Sequence, residues 1–212
     1  MEISRRTVLG GLVAGVASSG IATIAGAAEE NAGGMKPLRN EDFYTDGKFD
    51  VAAAKEAYYE MMRNFNYPIY DRLKSEEFWA IDFGLGKFTE VGMAGIFWMN
   101  NKEDNYFGHE IYLLPGQMIP EHKHVKTADA GPKLEGWQPR YGWIYIYGEG
   151  TPTPGVDARI PESHKKCAVA RTEKKLMPGE VGMLGGAEQW HWMYAPEGAI
   201  VTEYATYHDG TG

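Results

Sequence analysis

The stretch Gly116-Gln117-Met118-Ile119-Pro120-Glu121-His122-Lys123-His124 decides the reading of this chain, together with Lys133-Leu134-Glu135 and, much later, Trp190-His191. His122 and His124 stand at i and i+2. In a β-strand alternate side chains point to one face, so a strand through this stretch presents both imidazoles together. Two imidazoles on one face, joined by a carboxylate and a third imidazole from other strands, make a ligand set for a first-row divalent metal. The residues alone leave the acid open: Asp129 and Glu135 both follow the pair.

Around this stretch the pattern is that of a β-protein. From Phe78 onward apolar residues recur with a period of two, which predicts strands near 78–83, 92–99, 108–114, 118–124, 135–138, 143–147, 166–173, 181–184, 189–194 and 200–205. Turn residues separate them, among them Pro115-Gly116, Gly148-Glu149-Gly150, Pro178-Gly179, Gly185-Gly186 and Pro196-Glu197-Gly198. Many short strands at regular spacing predict an antiparallel sandwich or barrel. Upstream, the Gly-rich segment up to about residue 46 reads as a linker. Asp50 is placed to cap a helix running through Ala52, Ala57, Tyr58, Met61 and Met62, and Pro68 separates it from a second short helix at 69–74. The Met and Tyr stripe of the first helix reads as packing against the β-domain. The expected organisation is a signal at 1–27, a linker and helical extension at 28–77, and the β-domain at 78–212.

Composition narrows the function. The net charge of −8 argues against an electrostatic grip on nucleic acid. A single cysteine, Cys167, rules out an intrachain disulfide or a CxxC site and is expected in a buried strand. The N-terminus carries Arg5-Arg6 before a weakly hydrophobic, Gly- and Ala-rich run that ends in Ala25-Gly26-Ala27, a small-residue cleavage pattern. It resembles a twin-arginine export signal, which places the mature protein outside the cytoplasm, in the periplasm or its equivalent, without a stable membrane anchor.

Gly116-x5-His122-x-His124, with Pro178-Gly179-Glu180 and the later His191, resembles the two halves of the cupin motif. The segments Asp82–Lys87, Leu114–His124, Lys133–Trp137, Tyr147–Pro152, Leu176–Gly179, His191-Trp192 and Glu197–Glu203 are similar, more closely, to the D-lyxose isomerase family of cupin sugar isomerases. The resemblance implies an all-β cupin jelly-roll barrel behind an N-terminal helical extension. It implies a ketol-isomerase acting on a free sugar such as D-lyxose, with a divalent metal, manganese first, held by His122, His124, Glu135 and His191. Lys133 and Trp137 flank Glu135 at spacings of two and are expected to line the same pocket, Trp137 as a substrate contact. Glu203, on a strand face with Val201 and Ala205, is the expected general base, an acid among apolar neighbours whose pKa would be raised; Lys133 is expected to polarise the sugar oxygen or carry its hydroxyl proton. His109, His164 and His208 are read as non-ligands, and Trp190 and Trp192 equally as core or sugar platforms. The expected partners are the sugar and the export machinery, with a homodimer left open. Two rivals stand beside this reading. One is a cupin dioxygenase using the same ligand set, and the other is a non-catalytic exported sugar-binding protein.

Overall fold

Alternating side chains on short strands build two antiparallel sheets that face each other. The computed structural model describes residues 35 and 37–211; the expected export signal at 1–27 lies outside the described residues. Strands β1 (Tyr44–Thr45) and β2 (Lys48–Phe49) form a small hairpin, and helix α1 (Val51–Asn64) follows. The barrel strands are β3 (Trp79–Ile81), β4 (Met93–Asn101), β5 (Tyr106–Leu113), β6 (Gln117–His122), β7 (Glu135–Gly142), β8 (Ile144–Gly148), β9 (Thr172–Leu176), β10 (Gly182–Met183), β11 (His191–Ala195) and β12 (Ala199–Ala205). One sheet has the order β10-β7-β12-β5-β4-β3, the other β6-β11-β8-β9. This is the expected cupin-type jelly-roll barrel.

The helical extension is built as its sequence predicts. The Asp50 carboxylate accepts from the backbone N–H groups of Ala52 and Ala53, capping α1. Ala54, Ala57, Tyr58, Met61 and Met62 are buried against Phe78, Phe88 and Tyr112 of the barrel. Tyr58 donates to Gln117 Oε1 at 2.7 Å, which joins the helix to the start of β6. Among the described residues no helix is long and apolar enough to cross a membrane.

Four expectations need correction. The stretch up to residue 46 is not only a linker: a 3₁₀ turn (Asn40–Phe43) leads into the β1–β2 hairpin, whose Asp46-Gly47 pair adopts positive φ, as a tight two-residue turn requires. The element at 69–74 is a 3₁₀ turn, Asp71–Lys74, and not an α-helix. Residues 166–171 lie outside any strand; β9 begins at Thr172. Ala168 and Ala170 alternate inward to pack on Trp192, and the Glu121 carboxylate accepts from the backbone of Val169 and Ala170, so the period of two there belongs to an anchored loop. Cys167, in this loop, is exposed.

Candidate active site

The six-stranded sheet carries a row of cavity-lining residues across its inner face. Register places Trp137 of β7 beside Glu203 of β12, Glu203 beside His109 of β5, and His109 beside Phe97 of β4. The opposite sheet contributes the histidines. His191 at the start of β11 pairs with His122 at the end of β6. An irregularity between His191 and Met193 places one extra residue in β6, so that His122 and Ile119 both reach the cavity despite their odd spacing. The strand stops at His122, and His124 lies just beyond it, short of the expected strand end.

His122, His124, Glu135 and His191 converge: their ligand atoms all lie within 4.8 Å of one another. Two donors on opposite sides of one first-row ion stand roughly 4.2 Å apart, so small movements bring all four to a shared centre. Nδ1 of His122 donates to the Pro120 carbonyl and Nδ1 of His191 to the Gln189 carbonyl, both at 2.9 Å. A carbonyl only accepts, so each ring carries its proton on Nδ1 and turns a lone pair inward on Nε2. The Nε2 atoms of His124 and His191 lie 3.2 and 2.7 Å from Glu135 oxygens, yet neither makes a hydrogen bond of acceptable geometry. Orphaned buried nitrogens gathered around a carboxylate fit a divalent cation.

The charges support the same use. Burial, and then the neighbouring His191, push His122 down to about 4, so it is a neutral imidazole at neutral pH. Burial would lower His191, but the Glu135 carboxylate outweighs it and holds His191 above its ordinary value. Burial would raise Glu135; the His124 and His191 ring nitrogens and the Lys133 charge overcome this and hold it well below the usual carboxylate range. Asp129 stays out of the cluster. It is exposed and pairs with Lys102 at 3.2 Å.

Beside the cluster lies an acid–base group. Lys133 Nζ is 2.6 Å from Glu135 Oε2 and also contacts Glu203 Oε1, and the ammonium sits 5.0 Å from the Phe107 ring centre. Burial would lower Lys133, but the carboxylates of Glu203 and Glu135 raise it above its ordinary value. Glu203 is buried as expected, but its carboxylate faces Lys133 and His109 and not a wholly apolar surround; His109 Nδ1 stands 3.3 Å from Oε2. His109 stands outside the four-donor cluster and is a neighbour of the acid that the sequence reading did not place there. Its place on the inner face of β5 with Ile111 and Leu113 was the available signal. Gly95 makes the room: a Cβ there would meet His109 Nε2 at 2.2 Å and the Trp79 ring at 2.6 Å. His208 also lines the cavity, from the irregular C-terminal segment, where no periodicity could mark it.

Trp137 is buried in the cavity wall, 5.6 Å from His191 between ring centres. Trp192 is core: it stacks on Tyr147 at 3.6 Å and donates to the Ala170 carbonyl. Trp190 is partly exposed, with Lys123 over its ring. His164 bonds Ser163, away from the cluster.

No protein-family model matches the chain. The D-lyxose ketol-isomerase of Thermofilum sp. (strain ex4484_79) is 35% identical over 157 residues, covering 74% of this chain and 85% of that protein. The chain belongs to the D-lyxose ketol-isomerase family. A second relative, the D-lyxose/D-mannose isomerase of Thermosediminibacter oceani, is 33% identical over 163 residues, covering 76% of this chain and 88% of that protein. Membership in the D-lyxose ketol-isomerase family makes the chain an enzyme, a sugar ketol-isomerase. Among solved structures, the L-ribose isomerase of Cellulomonas parahominis with L-psicose aligns with a TM-score of 0.57 at 15% identity, over 72% of this chain and 80% of that one. At that identity the likeness bears on the fold alone.

Proposed function

We propose that the chain converts a free aldose of the D-lyxose and D-mannose type into its 2-ketose, using a divalent metal, manganese by family resemblance, at His122, His124, Glu135 and His191. The observation that carries this reading is the bridge of Lys133 between Glu135, a member of the four-donor cluster, and Glu203, which faces the same cavity. A bound divalent ion supplies electrostatic stabilisation of negative charge developing on the sugar's oxygens. Glu203 takes the proton from C2 as the C1=C2 double bond of the enediol forms, and returns it to C1. Lys133, held protonated by two carboxylates, donates toward the sugar oxygens and mediates the proton shift from O2 to O1. Trp137 closes one side of the cavity and gives the sugar an apolar face to lie against.

A dioxygenase has no use for a buried lysine–glutamate pair at this position, and a binding protein has no use for a base held against a cation. The test is isomerisation of D-lyxose by the manganese-loaded protein in deuterium oxide with an oxygen electrode in place. Ketose carrying solvent deuterium at C1, without oxygen uptake, is expected. Full retention of the original hydrogen in the absence of exchange points to hydride transfer and removes Glu203 as base; oxygen consumption with no ketose sinks the isomerase mechanism.

We also propose that Arg5-Arg6 direct twin-arginine export. The support is chemical. A mixed nitrogen–oxygen set binds copper or zinc more tightly than manganese, so filling the site before export keeps the weaker ion in place.

A further inference from the structure

A free aldose carries an oxygen on every carbon, and the cavity beside the metal cluster has few groups to receive them. It holds about 350 Å³. Among the described residues no serine, threonine, asparagine, glutamine, aspartate or arginine reaches its lining; the walls are Trp, Phe, Met, Ile and Pro side chains. The polar lining groups are mostly committed. His122, Glu135 and His191 belong to the metal cluster. Lys133 and Glu203 serve the two reacting carbons in the mechanism above. His109 turns Nδ1 to Glu203, and its buried Nε2 is wedged toward Gly95. Among the described lining side chains, His208 is then the one acceptor left for sugar hydroxyl protons. The strands behind the wall are engaged in their ladders.

We infer that the site takes an aldose whose far end is a methyl group, a 6-deoxyaldohexose with the D-lyxose configuration at C2 to C4; the inference rests on the isomerase reading above. A hydroxyl pushed into the Met93, Ile111, Ile119 and Ile146 wall gives up its water and finds no partner, whereas a methyl group gains by burial. An apolar pocket discriminates against one added hydroxyl by up to about 100-fold. The experiment compares 6-deoxy-D-mannose with D-mannose as substrates of the metal-loaded enzyme. It also compares calorimetric binding of 6-deoxy-D-mannitol with D-mannitol, reduced forms that cannot isomerise. A kcat/KM ratio of about 10 to 100 in favour of the 6-deoxy sugar is expected, with the alditols in the same order. Equal or better use of D-mannose, or equal or tighter binding of D-mannitol, overturns the inference while leaving the isomerase reading intact. If no sugar is turned over, the isomerase reading fails, and the alditol affinities alone decide whether the pocket selects a methyl end.

Discussion

The ammonium of Lys133 lies 2.6 Å from Oε2 of Glu135, so a cationic side chain and a carboxylate of the four-donor cluster share one buried point. Because the same ammonium touches Glu203, it neutralises the second of two buried carboxylates before any metal arrives. Lys133→Met removes that cation and leaves Glu135 and Glu203 facing each other. Loss of one partner of a buried ion pair costs about 3–5 kcal/mol. The metal-free variant is expected to unfold at a much lower denaturant concentration, with part of the loss recovered on adding metal. Turnover is expected to fall about 100-fold or more. Unchanged stability of the metal-free variant would show that the bridge holds nothing together.

Glu203→Gln is nearly isosteric and keeps a carbonyl oxygen for Lys133. Metal content and sugar binding should persist, while kcat falls by about 100-fold or more, the scale of general-base removal. Steady-state kinetics with metal analysis of the same sample separates the two. Near-normal turnover would transfer the base role to Lys133 or to a solvent-derived group.

The four-donor set has its own discriminating pair of variants. Glu135→Ala and His122→Ala should each lose the metal and all activity while keeping the β-fold by circular dichroism. Asp129→Ala should lose neither, since the Asp129 carboxylate pairs with Lys102 at the surface. Full metal occupancy in Glu135→Ala would take that residue out of the ligand set.

His122 and His124 were legible because their signals are local: His-x-His and the Gly116 turn survive in one dimension, whereas the residues alone left the acid open between Asp129 and Glu135 and only the family resemblance pointed to Glu135. The barrel was legible from alternation, which the inward row Trp137, Glu203, His109 and Phe97 obeys strand by strand. What alternation cannot show is which strands become neighbours. Glu203 therefore read as an acid among its own strand's apolar residues, when its chemistry comes from Lys133 and from His109 of β5. The segment at 166–171 misled for the reverse reason: Ala168 and Ala170 face a tryptophan from a loop, and burial on alternate residues does not require a ladder. The β1–β2 hairpin was announced by Asp46-Gly47 between two short strand formers, a turn signal lost within a polar, Gly-rich stretch.

Metal uptake should be linked to protons through His191. In the metal-free protein Glu135 favours protonated His191 and raises its pKa above 6.5. That contribution to stability is fully present below the ordinary histidine value and is lost as pH rises through the raised one. A metal must displace the same proton, so its affinity should weaken as pH falls through that region, with proton release on binding. Calorimetry in two buffers of different ionisation enthalpy at pH 6 and pH 8 measures this. More proton release at pH 6 than at pH 8 is expected; none at either pH would mean that His191 is already neutral in the metal-free site.

The joint between helix and barrel makes a separate prediction about stability. Gln117 is fully buried at the start of β6. Its Oε1 accepts from the Leu114 N–H at 2.8 Å and from the Tyr58 hydroxyl at 2.7 Å, and its Nε2 donates to the Phe88 carbonyl at 2.6 Å. Tyr58→Phe removes one donor and leaves Gln117 bonded through its other two contacts, a loss of about 1 kcal/mol. Gln117→Ala strands three buried groups at once, each worth about 1–3 kcal/mol when left unpaired, for a total on the order of 3 kcal/mol or more. Urea midpoints at unchanged slope should therefore drop little for Tyr58→Phe and severely for Gln117→Ala. Because His122 sits five residues further along the same strand, metal-loaded kcat at low temperature should be nearly unchanged in Tyr58→Phe. Equal destabilisation by the two variants would mean that the apolar packing of α1, and not the Gln117 amide, ties the extension to the strand that carries the metal site.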